Sequence, residues 1–160
     1  MRNVRTLAVI LQSWLILRVW GTVYYVTAIG NDQQDGLSWE TAAGSVQSAL
    51  DRASPGDQVW IASGVYHPTE KLQGPPDERP IPNSFLLRDG VSLYGGFSGA
   101  EQSLGQRTLI DLDGNGLLDA WEFAAETVLS GVQEGAGRVL DGGEEPFALP
   151  VTIDGFSICN

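Results

Sequence analysis

The sequence predicts a mainly β fold wound as the first coils of a right-handed parallel β-helix, with a short N-terminal capping helix and one loop insert. Three observations predict it. Short β-rich segments recur along the chain, and many are followed by Gly or Asp-Gly. The step from Val128 to Val151 is 23 residues, about one coil of such a helix, in which each coil lays its strand on the one before. A single helix near the start would cover the open end and the unpaired strand edge that stacked coils leave. A β-sandwich would also have short strands, but with shorter and more regular hairpin spacing.

In order, Thr22 to Thr27 reads as a first strand, and Gly30 to Gly36 as a polar, turn-rich loop. Ser38 is a candidate helix N-cap. Val46, Ala49, Leu50 and Ala53 recur at i, i+3, i+4 and i+7, one face of a short helix that Ser54-Pro55-Gly56-Asp57 ends. Gln58 to Ala62 is a strand, Gly64 to Pro68 a turn out of it, and the proline-rich run from Lys71 to Pro82 a surface loop. Phe85 to Leu87 is a short strand, and Asp89-Gly90 a tight turn. The next strand starts at Val91, Leu93 and Tyr94 and is broken by Gly95-Gly96. Val128-Leu129 and Val151 to Ile158 complete the set. The strands around Val59, Val91, Val128 and Val151 are expected to stack in parallel, each over the one before.

The 160 residues suffice for one domain. A 42% hydrophobic content is too high for a disordered chain, and 18% charged residues is low for a helical bundle. Twenty acidic residues against nine basic ones give a net charge of −11, which argues against a nucleic-acid partner, since that needs basic surface to meet phosphates. It suits an extracellular protein or one that collects cations. The one cysteine, Cys159, excludes an intrachain disulfide framework and a Cys-rich zinc site; its place beside the last residue fits a fragment whose partner lies downstream. Residues 1–21 differ in kind. Arg2 and Arg5 precede an apolar stretch from Thr6 to Leu17, shorter than a membrane span needs, which reads as a secretory signal cleaved near Gly21. The alternative is an amphipathic or buried N-terminal helix. Residues 22–160 are then the β-helix fragment.

Several runs carry a resemblance. They are Tyr25-Val26-Thr27, Gly36-Leu37-Ser38-Trp39, Ala49 to Ala53 and Gly56 to Thr69, continued by Phe85, Asp89-Gly90-Val91, Tyr94-Gly95-Gly96-Phe97, Gly99 and Glu101. Thr127 to Gly131 and Val151 to Phe156 follow the same pattern. Across residues 24–101 and 127–158 the chain resembles the N-terminal cap and first coils of bacterial secreted β-helix proteins, the pectate-lyase-like and polymorphic-outer-membrane-protein-like surface proteins. The resemblance implies the fold and export, and it implies no reaction.

One motif carries chemistry. Asp111-Leu112-Asp113-Gly114-Asn115-Gly116-Leu117-Leu118-Asp119-Ala120-Trp121-Glu122 matches an EF-hand calcium loop. Asp111, Asp113 and Asn115 would supply side-chain oxygens, Leu117 its carbonyl, Asp119 an oxygen directly or through water, and Glu122 both carboxylate oxygens. Gly116, at position 6, allows the sharp bend at positive φ. Leu118, at position 8, is expected to hold the loop to a core. The segment Gln106 to Ile110 is too short and β-branched for a good entering helix, so a lone loop of weak affinity is expected, similar to the Asp-rich single inserts of bacterial secreted proteins. The alternative is an acidic surface insert that binds nothing tightly.

The remaining candidates read as structure. His67 belongs to a turn. Trp39, Trp60 and Trp121 could stack on sugars, but packing is the simpler role. Asp32, Asp35 and Asp57 suit turns and caps, and Glu144-Glu145 a solvated turn. Lys71, Arg52, Arg79, Arg88, Arg107 and Arg138 are scattered and form no catalytic constellation. Gly95-Gly96 and Gly142-Gly143 are turns, since no Lys-Ser/Thr follows to make a phosphate loop. The expected function is a secreted or cell-surface calcium-binding β-helix module, non-enzymatic, with adhesion or carbohydrate and surface ligands as partners and further coils to follow. The alternative is the leading piece of a β-helix polysaccharide lyase or hydrolase whose catalytic residues lie beyond Asn160.

Overall fold

A computed structural model describes residues 21–68, 84–131, 139–143 and 145–159. The expected export signal (residues 1–20 of it), the loop from Lys71 to Pro82, Arg138 and Glu144 lie outside them. The described chain is mainly β, with nine strands and one α-helix. In order they are β1 (Val23–Val26), α1 (Val46–Arg52), β2 (Gln58–Ala62), β3 (Gly64–Tyr66), β4 (Phe85–Leu86), β5 (Ser92–Phe97), β6 (Thr127–Ser130), β7 (Leu140–Asp141), β8 (Ile153–Asp154) and β9 (Ser157–Cys159). None of the described helices is long and apolar enough to cross a membrane.

Every pairing among the described strands is parallel. The first sheet runs β1-β2-β5-β8, the second β3-β6-β9, and the third β4-β7. The chain therefore visits the sheets in a fixed order: β2, β3, β4, then β5, β6, β7, then β8 and β9. The apolar core lies between them. Val26, Val59, Ile61 and Leu93 come from the first sheet, Tyr66 and Leu129 from the second, and Phe85 from the third. Val46, Ala49 and Leu50 of α1 close it. Burial pushes the Tyr66 hydroxyl up to about 12, and it donates to the Ala62 carbonyl at 3.0 Å.

Helix α1 uses the apolar face the spacing predicts and packs on β1, β2 and β4. Its buried Gln47 does more. The side chain accepts from the Leu86 amide at 2.9 Å and donates to the Leu86 carbonyl at 3.4 Å. It thus supplies the partner that edge strand β4 would otherwise lack, which blunts that edge. The N-cap is Ser45, whose hydroxyl accepts from the Ser48 amide, and not Ser38. Ser38 instead accepts from Thr41 in a local turn, because Thr41 returns to pair with the chain at Gly36 before any helix begins.

Four further expectations are corrected. The single stack through Val59, Val91, Val128 and Val151 does not form. β2, β5 and β8 share one sheet, but Val128 lies in another, and its partner one strand on is Ser157, not Val151. The segment Val151 to Ile158 is two strands, because Gly155 at φ 81° turns the chain from the first sheet into the second. Gly64 to Tyr66 is a strand, β3, since Val65 and Tyr66 pair with Val128 and Leu129. Gly95-Gly96 do not break β5. They form a bulge within it: Trp60 pairs with Tyr94 while Ala62 pairs with Phe97, so the β5 side holds the extra residue.

The corners between the first and second sheets locate the site. Ser63 alone joins β2 to β3, and Gly155-Phe156 join β8 to β9. Between β5 and β6 the chain instead runs out through residues 98–126. This insert carries the EF-hand-like sequence.

Candidate metal centre

The insert is built in three parts. At its base, Glu101 folds back so that its carboxylate accepts from the amides of Ser98, Gly99 and Ala100 at 2.8, 3.1 and 3.0 Å. Burial opposes ionisation of Glu101, but these hydrogen bonds together outweigh it and hold the carboxyl below its usual range. A neck follows, closed by an antiparallel bridge between Leu109 and Phe123 and by the bonds Ile110 N–H to Glu122 C=O (2.9 Å) and Ala124 N–H to Thr108 C=O (2.8 Å). The tip is the loop from Asp111 to Glu122.

Within the tip, the carboxylates organise the backbone. Asp111 accepts from the amides of Gly114, Asn115 and Gly116 at 2.7, 3.1 and 2.8 Å. Gly116 has φ 82°, the left-handed bend expected at position 6. Asp113 accepts from the Asn115 amide, and Asn115 Oδ1 from the Leu117 amide, each two residues on. Glu122 is fully buried; it accepts from the amides of Leu112, Asp113 and Asp119 at 2.8, 3.1 and 2.9 Å. The Asp119 amide, with those of Leu112 and Asp113, holds the Glu122 carboxyl below its usual range against burial and the nearby Asp111 charge.

The loop brings three of the six expected ligand residues together. Carboxylate oxygens of Asp111, Asp113 and Glu122 lie within 4.8 Å of one another. Asn115 stands beside them, with its Nδ2 donating to Asp113 Oδ2 at 3.0 Å. Asp119 is outside the triad and contributes its amide to Glu122. The donor chemistry fits a hard cation. The triad offers only oxygens, which suit Ca²⁺ or Mg²⁺ rather than a metal that prefers imidazole or thiolate. A carboxylate has about four lone-pair sites; Glu122 and Asp111 each spend three on amides, so each keeps capacity for an ion. Leu118 does not hold the loop to a core. It is 62% exposed, because the neck and not the tip carries the packing; Leu112, Leu117 and Trp121 beside it are also exposed.

Three residues that fasten the insert were not singled out by spacing. Phe123 packs on the β5 bulge, where a Cβ at Gly96 would stand 2.6 Å from its ring. Arg107 lies over the Phe123 ring, 4.4 Å from its centroid. Thr127, buried, accepts from the Gly96 amide at 3.0 Å and closes the far end of the insert. The signal available in the sequence was the Gly95-Gly96 pair itself, since glycine within a strand marks a bulge or a close approach.

Several other candidates among the described residues have structural roles. His67 contacts the Ser130 carbonyl through Nδ1 at 3.2 Å. Asp32 accepts from the amides of Gly44 and Ser45, Asp35 from that of Leu37, and Asp57 from those of Thr22 and Ser54. Trp60 stacks on Phe97 at 4.7 Å on the face of the first sheet opposite the core, and Tyr25 and Trp39 complete that cluster. Trp39 also donates its indole N–H to the Glu101 carbonyl, so it ties the base of the insert to the sheet. No protein-family model, curated protein or solved structure matches the chain.

Proposed function

We propose that this chain is a secreted or cell-surface module built as the N-terminal coils of a right-handed parallel β-helix, whose insert binds one calcium ion. The fixed order in which the chain visits three parallel sheets supports the coiled arrangement: two successive circuits, β2-β3-β4 and β5-β6-β7, each supply one strand to each sheet. The observation that carries the functional reading is the convergence of Asp111, Asp113 and Glu122 at the tip of the insert, on the spacing of a calcium loop. The ion would offset most of the charge of three clustered carboxylates and rigidify an insert that stands out from the sheets. The module is non-enzymatic and serves adhesion or carbohydrate and surface contacts. Export would deliver it to extracellular calcium, where a weak site fills.

Calorimetric titration tests this. One Ca²⁺ binds per chain, with Kd roughly 0.1–1 mM, the range of extracellular modules. Glu122→Gln weakens binding by removing one of the three carboxylate charges from the ion's surroundings. No heat and no thermal shift at several millimolar Ca²⁺ would rule the proposal out.

A further inference from the structure

We propose that Arg107 is a positioning residue that couples the calcium loop to β8, so that an ion held by the insert orders the last strands of the chain. This rests on the calcium reading above. Arg107 sits at the entry to the neck and is 11% exposed. All three of its side-chain nitrogens are engaged. Nε donates to the Leu104 carbonyl at 3.1 Å, within the insert. Nη1 donates to the Gly95 carbonyl at 3.0 Å, on β5. Nη2 pairs with Asp154 Oδ2 at 2.8 Å, on β8. One planar group thus joins the insert to two adjacent strands of the first sheet, a role that needs the guanidinium fork.

Its fourth contact leads to the ion. The guanidinium covers the Phe123 ring, and Phe123 directly follows Glu122, the residue that closes the calcium loop. The space is built for this fit. A Cβ at Gly155 would stand 2.9 Å from Arg107 Nη1 and 2.6 Å from the Gly95 carbonyl oxygen, so only glycine leaves room for the guanidinium beside that carbonyl. The far side of the joint is lightly held. β8 has two residues and β9 three; each is the last strand of its sheet, and β9 is exposed throughout. Short, exposed, one-sided strands open easily, so an added constraint on Asp154 registers there first. An ion that fixes Glu122 fixes Phe123, and with it the guanidinium that holds Asp154.

Amide hydrogen exchange with and without saturating CaCl₂ tests the coupling, on the native chain, Asp154→Asn and Arg107→Lys. Asp154 is half exposed, so its replacement leaves the core intact. In the native chain calcium slows exchange across residues 153–159 by about fivefold or more, the low end of site-to-site coupling. In both variants the slowing falls below about twofold, and calorimetry shows their calcium affinity reduced by the same factor that is lost from the exchange, as reciprocity requires. A merely structural staple would raise exchange equally with and without calcium. Slowing that persists in the variants, or a native chain that binds calcium with residues 153–159 unchanged, overturns the coupling and leaves the calcium reading standing. A native chain that binds no calcium overturns both.

Discussion

Single side chains hold the irregular parts of this molecule, and they do so by capturing backbone amides. Glu101, Asp111 and Glu122 each take three. A carboxylate bonded in this way is stabilised as the anion, which ties folding to pH. For Glu101 the folded carboxyl sits below its unfolded value, so the stability it contributes is present above that unfolded value, about 4.3, and is lost as pH falls through the lower, folded value. Glu101→Gln is therefore expected to lower stability at pH 7 by about 1.5–3 kcal/mol, the worth of hydrogen bonds to a charged acceptor. It also flattens the loss of stability below pH ~4.3. Denaturant melts of the two proteins at pH 7 and in acid check both; equal stability at pH 7 would count against a role for this carboxylate. Much of the residue scale was legible beforehand. Asp111, Asp113 and Glu122 stand together because their spacing matches a loop whose geometry is local. Arg107 was not legible, since its partners Gly95, Phe123 and Asp154 lie on three different segments and meet only through the sheet.

Elements follow the same division between local and distant causes. α1 was readable because Val46, Ala49 and Leu50 share one helical face, and that face is the one buried, with Ala53 following as the C-cap. Leu50 is fully buried in the core. Leu50→Ala should cost about 2–5 kcal/mol, the range for cavity-forming core truncations, and a loss under about 1 kcal/mol would show that the helix does not close the core. Strands were less readable. β2 and β5 have β-rich cores and were placed, whereas β7 was missed, because a strand of two residues has no periodicity of its own. β3 was read as a turn because Gly64 and Pro68 bracket it, and its pairing with β6 depends on a segment far along the chain. Gly95-Gly96 were read as a break because glycine disfavours strands. In the structure the pair forms a bulge that seats Phe123, so the residues that weaken β5 locally also dock the insert.

At the scale of the whole molecule, the spacing of strands misled where their parallel order did not. The 23-residue step joined strands of different sheets, and the insert at residues 98–126 hides any even period between β5 and β6. What remains is three parallel sheets around one core, with β8 and β9 as the last described strands of their sheets, carrying the exposed Ile153, Ile158 and Cys159. Unprotected edges with apolar side chains recruit further strands. The 160-residue chain should therefore self-associate as concentration rises, and Ile158→Lys should shift it toward monomer; light scattering that reports a concentration-independent monomer would contradict this. The central claim is that the insert carries a calcium ion on a parallel-sheet scaffold. A crystal structure grown in millimolar calcium tests it most directly. The expected result is one ion bounded by Asp111, Asp113, Glu122 and further loop oxygens at about 2.3–2.6 Å, with six to eight oxygens in all. Electron density with no ion there, and with Asp111 and Glu122 still engaged only by loop amides, would contradict it.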